Sequence, residues 1–133
     1  MLNIILYQPE IPPNTGNIIR LCANTGAKLH LVGPLGFHMD NTRVKRAGLD
    51  YAELAHVRQY VSWTAFRGEQ AGMRIWAFST RGQKPYHQAG FERGDGLLFG
   101  PETRGLPETV LAEAGAEHCL HLPMADTSRS LNL

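Results

Sequence analysis

The chain has 133 residues, 43% of them hydrophobic and 19% charged, with a formal net charge of +1. That is apolar material for one core and one site, and so small a net charge excludes binding of nucleic acid by bulk attraction; any RNA contact must be local. No segment nears the roughly 20 apolar residues that cross a bilayer, and the opening run LNIILY lacks the basic flank and the length of a secretion signal, which predicts a cytoplasmic protein with no membrane partner.

LNIILY has the apolar, β-branched composition of a buried strand and stops at the loop QPEIPPNTG. The helix expected next is capped by Asn14 or Thr15, carries Ile18, Leu21, Cys22 and Thr25 on one face, and ends at Gly26, where a left-handed cap is wanted. KLHLVG predicts a second strand. A short helix near residues 41–47, a strand at HVRQYV, a helix over about residues 64–71 and a strand at RIWAFS follow. GLLFG, a helix from near Pro107 and a last strand at EHCLHLP complete the series. Strands alternating with helices predict one α/β domain, a mostly parallel sheet flanked by helices. In such sheets ligands bind beyond the carboxyl ends of the strands. That marks the loops 8–16, 79–85, 100–106 and 123–132.

The common nucleotide and hydrolase fingerprints are missing. The first strand-to-helix turn, PPNTGN, is neither G-x-G-x-x-G nor a P-loop, and G-x-S-x-G and H-E-x-x-H do not occur. Cys22 and Cys119 are far apart and fit no zinc spacing, so they read as reduced core thiols and no metal is expected. HCLHL puts Cys119 and His121 on one strand face, which reads as an ordinary strand with a polar end.

Three polar stretches fall on the marked loops. NTGNIIR sets Asn14, Thr15 and Asn17 around a helix start, whose free N–H groups suit an anion or polar ligand, with Arg20 a turn further on. FGPETRGL ends a strand in Gly-Pro, leaves main-chain groups unused by the sheet, and sets Glu102 where it could hold a cation such as Arg20. LPMADTSRSLNL offers Ser128, Arg129, Ser130 and Asn132 as the last strand ends. A fourth, basic stretch, TRVKRAG, brings Arg43, Lys45 and Arg46 near one helix face.

The order N-T-G-N-x-x-R, F-G-x-E-x-x-G-L, then L-P-M followed by S-x-N resembles the three motifs of the SPOUT, or α/β-knotted, RNA methyltransferases. MLNIILYQPEIPPNTGNIIRLCANTGAKLHLVGPLGF, RAGLDY, FGPETRGLP and SRSLNL are similar to the small tRNA (cytidine(34)-2'-O)-methyltransferase group, and the similarity runs from Met1 to Leu133. The resemblance implies a single SPOUT domain over 1–133 with a C-terminal deep trefoil knot, a homodimer, and S-adenosylmethionine as methyl donor, leaving S-adenosylhomocysteine. Phe78, Gly100, Pro101, Glu102, Leu122, Met124, Ser130 and Leu131 would bind that cofactor, Phe78 standing where the family usually has leucine. Arg20, Asn17 and Ser130 would carry the chemistry at the 2'-hydroxyl of tRNA nucleotide 34. Arg20, Arg43, Lys45, Arg46 and Arg129 would contact the RNA. The family usually continues beyond S-x-N with a helix that completes the knot and the dimer, whereas this sequence stops at Leu133. Two further readings stay open at this stage: methylation of ribosomal RNA, and a non-catalytic RNA-binding module on the same knot.

Overall fold

In the computed structural model, which describes residues 2–36, 57–80, 82, 84–86, 89–101 and 103–121, the apolar runs read as strands lie side by side in one sheet. The strands are β1 Asn3–Tyr7, β2 Lys28–Val32, β3 Val57–Tyr60, β4 Ile75–Phe78, β5 Lys84–Pro85, β6 Gly96–Phe99 and β7 Cys119–His121. Every pairing is parallel, and the order across the sheet is β3-β2-β1-β6-β4-β7-β5. Helices α1 Pro12–Thr25, α2 Trp63–Glu69 and α3 Glu108–Ala114 cover it. The central strands β1, β6 and β4 are apolar on both sides because both sides are covered. Ile5, Ala77 and Leu98 pack toward Phe66 of α2 and Val110 of α3, while Leu6, Leu29 and Leu31 pack with Ile19 and Cys22 of α1.

α1 departs from the expectation in two ways. It starts at Pro12, with Pro at its first positions and Ile11 in the cap position without a side-chain cap bond. Proline needs no partner for a missing N–H and presets the helical φ, so PP opens the helix and Asn14 and Thr15 fall inside its first turn instead of capping it; both of their N–H groups donate to the Ile11 carbonyl. The buried stripe is Thr15, Ile19 and Cys22, spaced i, i+4, i+7, whereas Leu21 is 59% exposed and Thr25 lies outside. Thr25 turns its hydroxyl back onto the Leu21 carbonyl at 2.9 Å, and Gly26 closes the helix at φ 79° as expected. α2 begins slightly before the expected start, because Ser62 accepts from the Ala65 N–H at 3.1 Å and so caps it. Burial pushes the Cys22 thiol up to about 11 and raises that of Cys119, consistent with inert core cysteines.

The late strands enter gaps left by earlier ones. β6 inserts between β1 and β4, and β7 between β4 and β5. Phe78 of β4 and Lys84 of β5 both lie level with Leu120 of β7, so the connection from Ser79 to β5 must cross β7 at that level. It does so in contact: the Ser79 N–H donates to the Leu120 carbonyl at 2.9 Å, and a Cβ on Gly82 would stand 2.3 Å from Leu120 C and O. His121 Nδ1 hydrogen-bonds the Gly82 carbonyl at 2.9 Å. β7 thus ends beneath an arch of chain. The C-terminal knot expected from the motifs involves residues 122–133, which lie outside the described residues, as does the expected helix near 41–47.

At the opposite, amino end of the strands, Asp95 ties the turn that enters β6 to the start of β4. Its carboxylate takes Arg74 Nη2 at 2.8 Å, the Trp76 indole N–H at 2.8 Å and the Glu92 N–H at 2.8 Å. Burial raises its pKa, but these donors outweigh burial and hold the carboxyl down to about 2.

His30 of β2 is a satisfied core histidine. Asn3 Nδ2 donates to the Gly94 carbonyl, so Asn3 Oδ1 accepts from His30 Nε2–H at 2.9 Å, and Nδ1 accepts the Tyr60 hydroxyl at 2.8 Å. Gln70 Nε2 in turn donates to that hydroxyl at 3.3 Å. Burial, with Arg58 and Lys28 nearby, lowers the imidazole pKa to about 4 from an ordinary 6.5. Because the unfolded chain then binds the extra proton, this residue's contribution is complete above pH 6.5 and is lost as pH falls toward 4, up to about 3 kcal/mol. Chemical denaturation between pH 7 and 4 is expected to show that decline, and His30→Gln to flatten it.

Candidate active site

The carboxyl ends of β1, β6, β4 and β7 lie side by side in the sheet, and the loops after β1 and β6 are bonded to one another. After β1 the chain turns at Gln8, φ 46°, whose N–H donates to the Val32 carbonyl. Pro9 accepts from the Gly36 N–H at 3.1 Å, which binds the loop after β2 to the same place. After β6 the chain turns at Gly100. A Cβ there would come within 2.7 Å of Gly105 C and Leu106 N, and Arg104 and Gly105 N–H both donate to the Pro101 carbonyl, with Gly105 at φ 73°. Only glycine lets the loop fold back so closely on itself.

The two loops are latched together. Glu10 Oε1 accepts from Thr103 Oγ1 at 2.6 Å and from the Thr103 N–H at 3.2 Å, while its Oε2 lies 3.4 Å from Arg104 Nε. Arg104 Nη2 donates to Gln8 Oε1 at 3.1 Å. The Thr103 hydrogen bond, helped by Arg104, lowers the Glu10 pKa. An acceptor this well supplied is a poor proton acceptor for a reaction.

On the α1 side of the sheet, Phe78 and Phe99 share a register and stack, ring centroids 4.8 Å apart at 11°, forming an aromatic shelf at the strand ends. Phe99 packs against the Ile19 cluster, so Thr15, one turn nearer the start of α1, lies toward the same end. The Thr15 hydroxyl is buried and has no hydrogen-bond partner among the described residues. Arg20 is half-buried and Asn17 exposed on the same helix.

Among the expected site residues, then, the structure gathers Phe78, Gly100 and Pro101 at adjoining strand ends and carries Asn17 and Arg20 on the helix that follows β1. Glu102, Leu122, Met124, Arg129, Ser130 and Leu131 lie outside the described residues, as do Arg43, Lys45 and Arg46. Sequence reading missed Glu10, Thr103 and Arg104 as a unit, since partners 93 residues apart leave no local pattern. Thr15 was read as a cap instead of a buried hydroxyl. The described residues hold no group of three or more side chains suited to a metal ion. No described helix is long and apolar enough to cross a membrane.

A parallel sheet with late-inserted strands, its last strand ending under a crossing chain and its loops latched around one end, defines a SPOUT-type α/β methyltransferase fold. Residues 1–133 match the SpoU rRNA methylase family, and the chain belongs to it. A tRNA (cytidine(34)-2'-O)-methyltransferase of Saccharophagus degradans is 54% identical over 133 residues, covering 100% of this chain and 86% of that protein. A solved structure described as giving "structural insights into the 2-OH methylation of C/U34 on tRNA" superposes with a TM-score of 0.90 at 49% identity, over 99% of this chain and 86% of that one. An AdoMet-bound rRNA methyltransferase from Sinorhizobium meliloti superposes with a TM-score of 0.84 at 27% identity, over 99% of this chain and 51% of that one.

Proposed function

We propose that this chain is a tRNA 2'-O-methyltransferase acting on the ribose of wobble nucleotide 34, cytidine or a modified uridine, with S-adenosylmethionine as donor. The observation that carries the reading is the 54% identity, over the whole chain, to a relative named for that reaction.

The residues present suit such a donor. The Phe78–Phe99 shelf offers a face for a base, and the Gly100 turn lets a ligand approach main chain. Phe78, Gly100 and Pro101 would hold it, joined by Glu102, Leu122, Met124, Ser130 and Leu131 from the motifs. Bound there, S-adenosylmethionine supplies an electrophilic methyl carbon. What the protein adds is placement: an in-line displacement gains most from holding the hydroxyl oxygen against its target.

Arg20 presents a planar fork of donors with no acceptor, so it holds a phosphate or orients the 2'-hydroxyl, with Asn17 and Ser130 at the same ribose, and the proton leaves to a neighbouring acceptor. Arg43, Lys45, Arg46 and Arg129 contact phosphates, which positions the RNA without specifying its sequence. The family likeness supports a homodimer, and a tRNA substrate fits a cytoplasmic location.

Incubating the chain with labelled S-adenosylmethionine and anticodon-mutant tRNA transcripts, then mapping 2'-O-methyl groups, tests the reading. Label confined to nucleotide 34 is expected. Methylation of ribosomal RNA fragments instead would replace the substrate, and RNA binding without transfer would leave only a binding module.

A further inference from the structure

The two halves of the proposed site come from opposite ends of the sequence. Loop 100–106 would hold the methyl donor, and α1, entered through the loop after β1, would hold the acceptor hydroxyl. Displacement in line is sensitive to the relation between such halves, where an error on the order of 1 Å costs about a hundredfold. Beyond the pairing of β1 with β6, what ties the two loops together among the described residues is the latch at Glu10. One carboxylate oxygen takes both the hydroxyl and the N–H of Thr103, the other faces the Arg104 guanidinium, and Arg104 reaches on to Gln8. The 2.6 Å bond to Thr103 Oγ1 is short and charge-assisted. Both anchors are themselves rigid: a Cβ on Gly36 would meet the Glu10 Cα at 3.3 Å, and the 101–105 turn is closed by its own bonds to the Pro101 carbonyl.

We infer that Glu10 is a positioning residue for methyl transfer, which through Thr103 and Arg104 sets the donor loop against the acceptor helix. It does not touch the reacting atoms. The inference rests on the proposed methyltransferase reading and deepens it. Its position argues against a role in stability alone: the Arg104 side chain is 59% exposed, and ion pairs this open contribute little to folding. The turn at Gly100 also closes without Glu10, so the donor's affinity should not depend on the latch.

The test separates placement from binding. For Glu10→Ala, turnover at saturating tRNA and donor is expected to fall about tenfold, while calorimetric affinity for S-adenosylmethionine without RNA and the thermal midpoint stay near those of the unmodified chain. Glu10→Gln keeps an oxygen for Thr103 and should recover most of the loss. Thr103→Val should reproduce Glu10→Ala, and the two together should cost no more than either alone. Unchanged turnover in Glu10→Ala, or a loss matched by weaker donor binding or a lower midpoint, would overturn the inference and leave the activity standing. No methylation by the unmodified chain would remove the activity reading and this inference with it.

Discussion

Gly82→Ala is expected to destabilise the chain more than any other single methyl addition among its described glycines, by more than about 3 kcal/mol or to the point of preventing folding. The added Cβ would lie 2.3 Å from both the carbonyl carbon and the oxygen of Leu120 and 2.8 Å from the His121 nitrogen. Carbon contacts settle near 3.5–4.0 Å, so over an ångström of relief is needed. The atoms in the way are backbone of a strand hydrogen-bonded on both sides, to β4 and β5, and cannot swing aside as a side chain could. Moving the arch instead would break the Ser79-to-Leu120 bond and the His121 contact. Gly68→Ala is the matched control: nothing lies within 4 Å of its Cβ and it sits in α2, so it should be neutral or stabilising by up to about 1 kcal/mol. Urea titrations of both variants check the pair. Near-native stability for Gly82→Ala would mean that the arch does not rest on β7.

The same glycine shows where reading the sequence ends. Strands β1, β2, β4 and β6 were legible because each is a short apolar run bounded by polar or turn residues, and the Gly26 helix end follows from its neighbours alone. Strand order was not, because β6 and β7 enter gaps made earlier in the chain, and nothing local in GLLFG or EHCLHLP says between which partners they fall. β5 is only Lys84–Pro85, with no pattern to detect. Gly82 reads as one more loop glycine until the crossing over Leu120 is known. Glu10 is subject to the same limit: QPE and ETR are each unremarkable, and only the fold makes them a latch. Gly100 and Arg20 could be singled out from the residues themselves, since the turn chemistry of a strand end and the start of a helix is local, whereas Phe78 was named only through the family resemblance. The start of α1 was misjudged because two prolines can open a helix without a capping side chain, which moved Thr15 from the cap to the buried face.

For the proposed reaction, Arg20→Lys is expected to lower turnover on the order of a hundredfold at saturating tRNA, with donor affinity unchanged. Arg20 lies on the half-buried flank of α1, two turns into a helix whose opposite stripe is locked into the core by Thr15, Ile19 and Cys22, so its backbone is held. Lysine keeps the charge but gives up the planar fork, offering three rotating donors on a compact ammonium. If charge toward phosphate were all that mattered, lysine would serve nearly as well and its salt dependence would match that of arginine. If the guanidinium fixes the angle of the 2'-hydroxyl, the loss falls on turnover and not on KM, and it is the same at every pH because the fork geometry itself is missing. Single-turnover rates across pH 6 to 9 distinguish the two. A profile for Arg20→Lys that rises to the unmodified rate at high pH would instead assign this position a proton to lose, and the fork role would be abandoned.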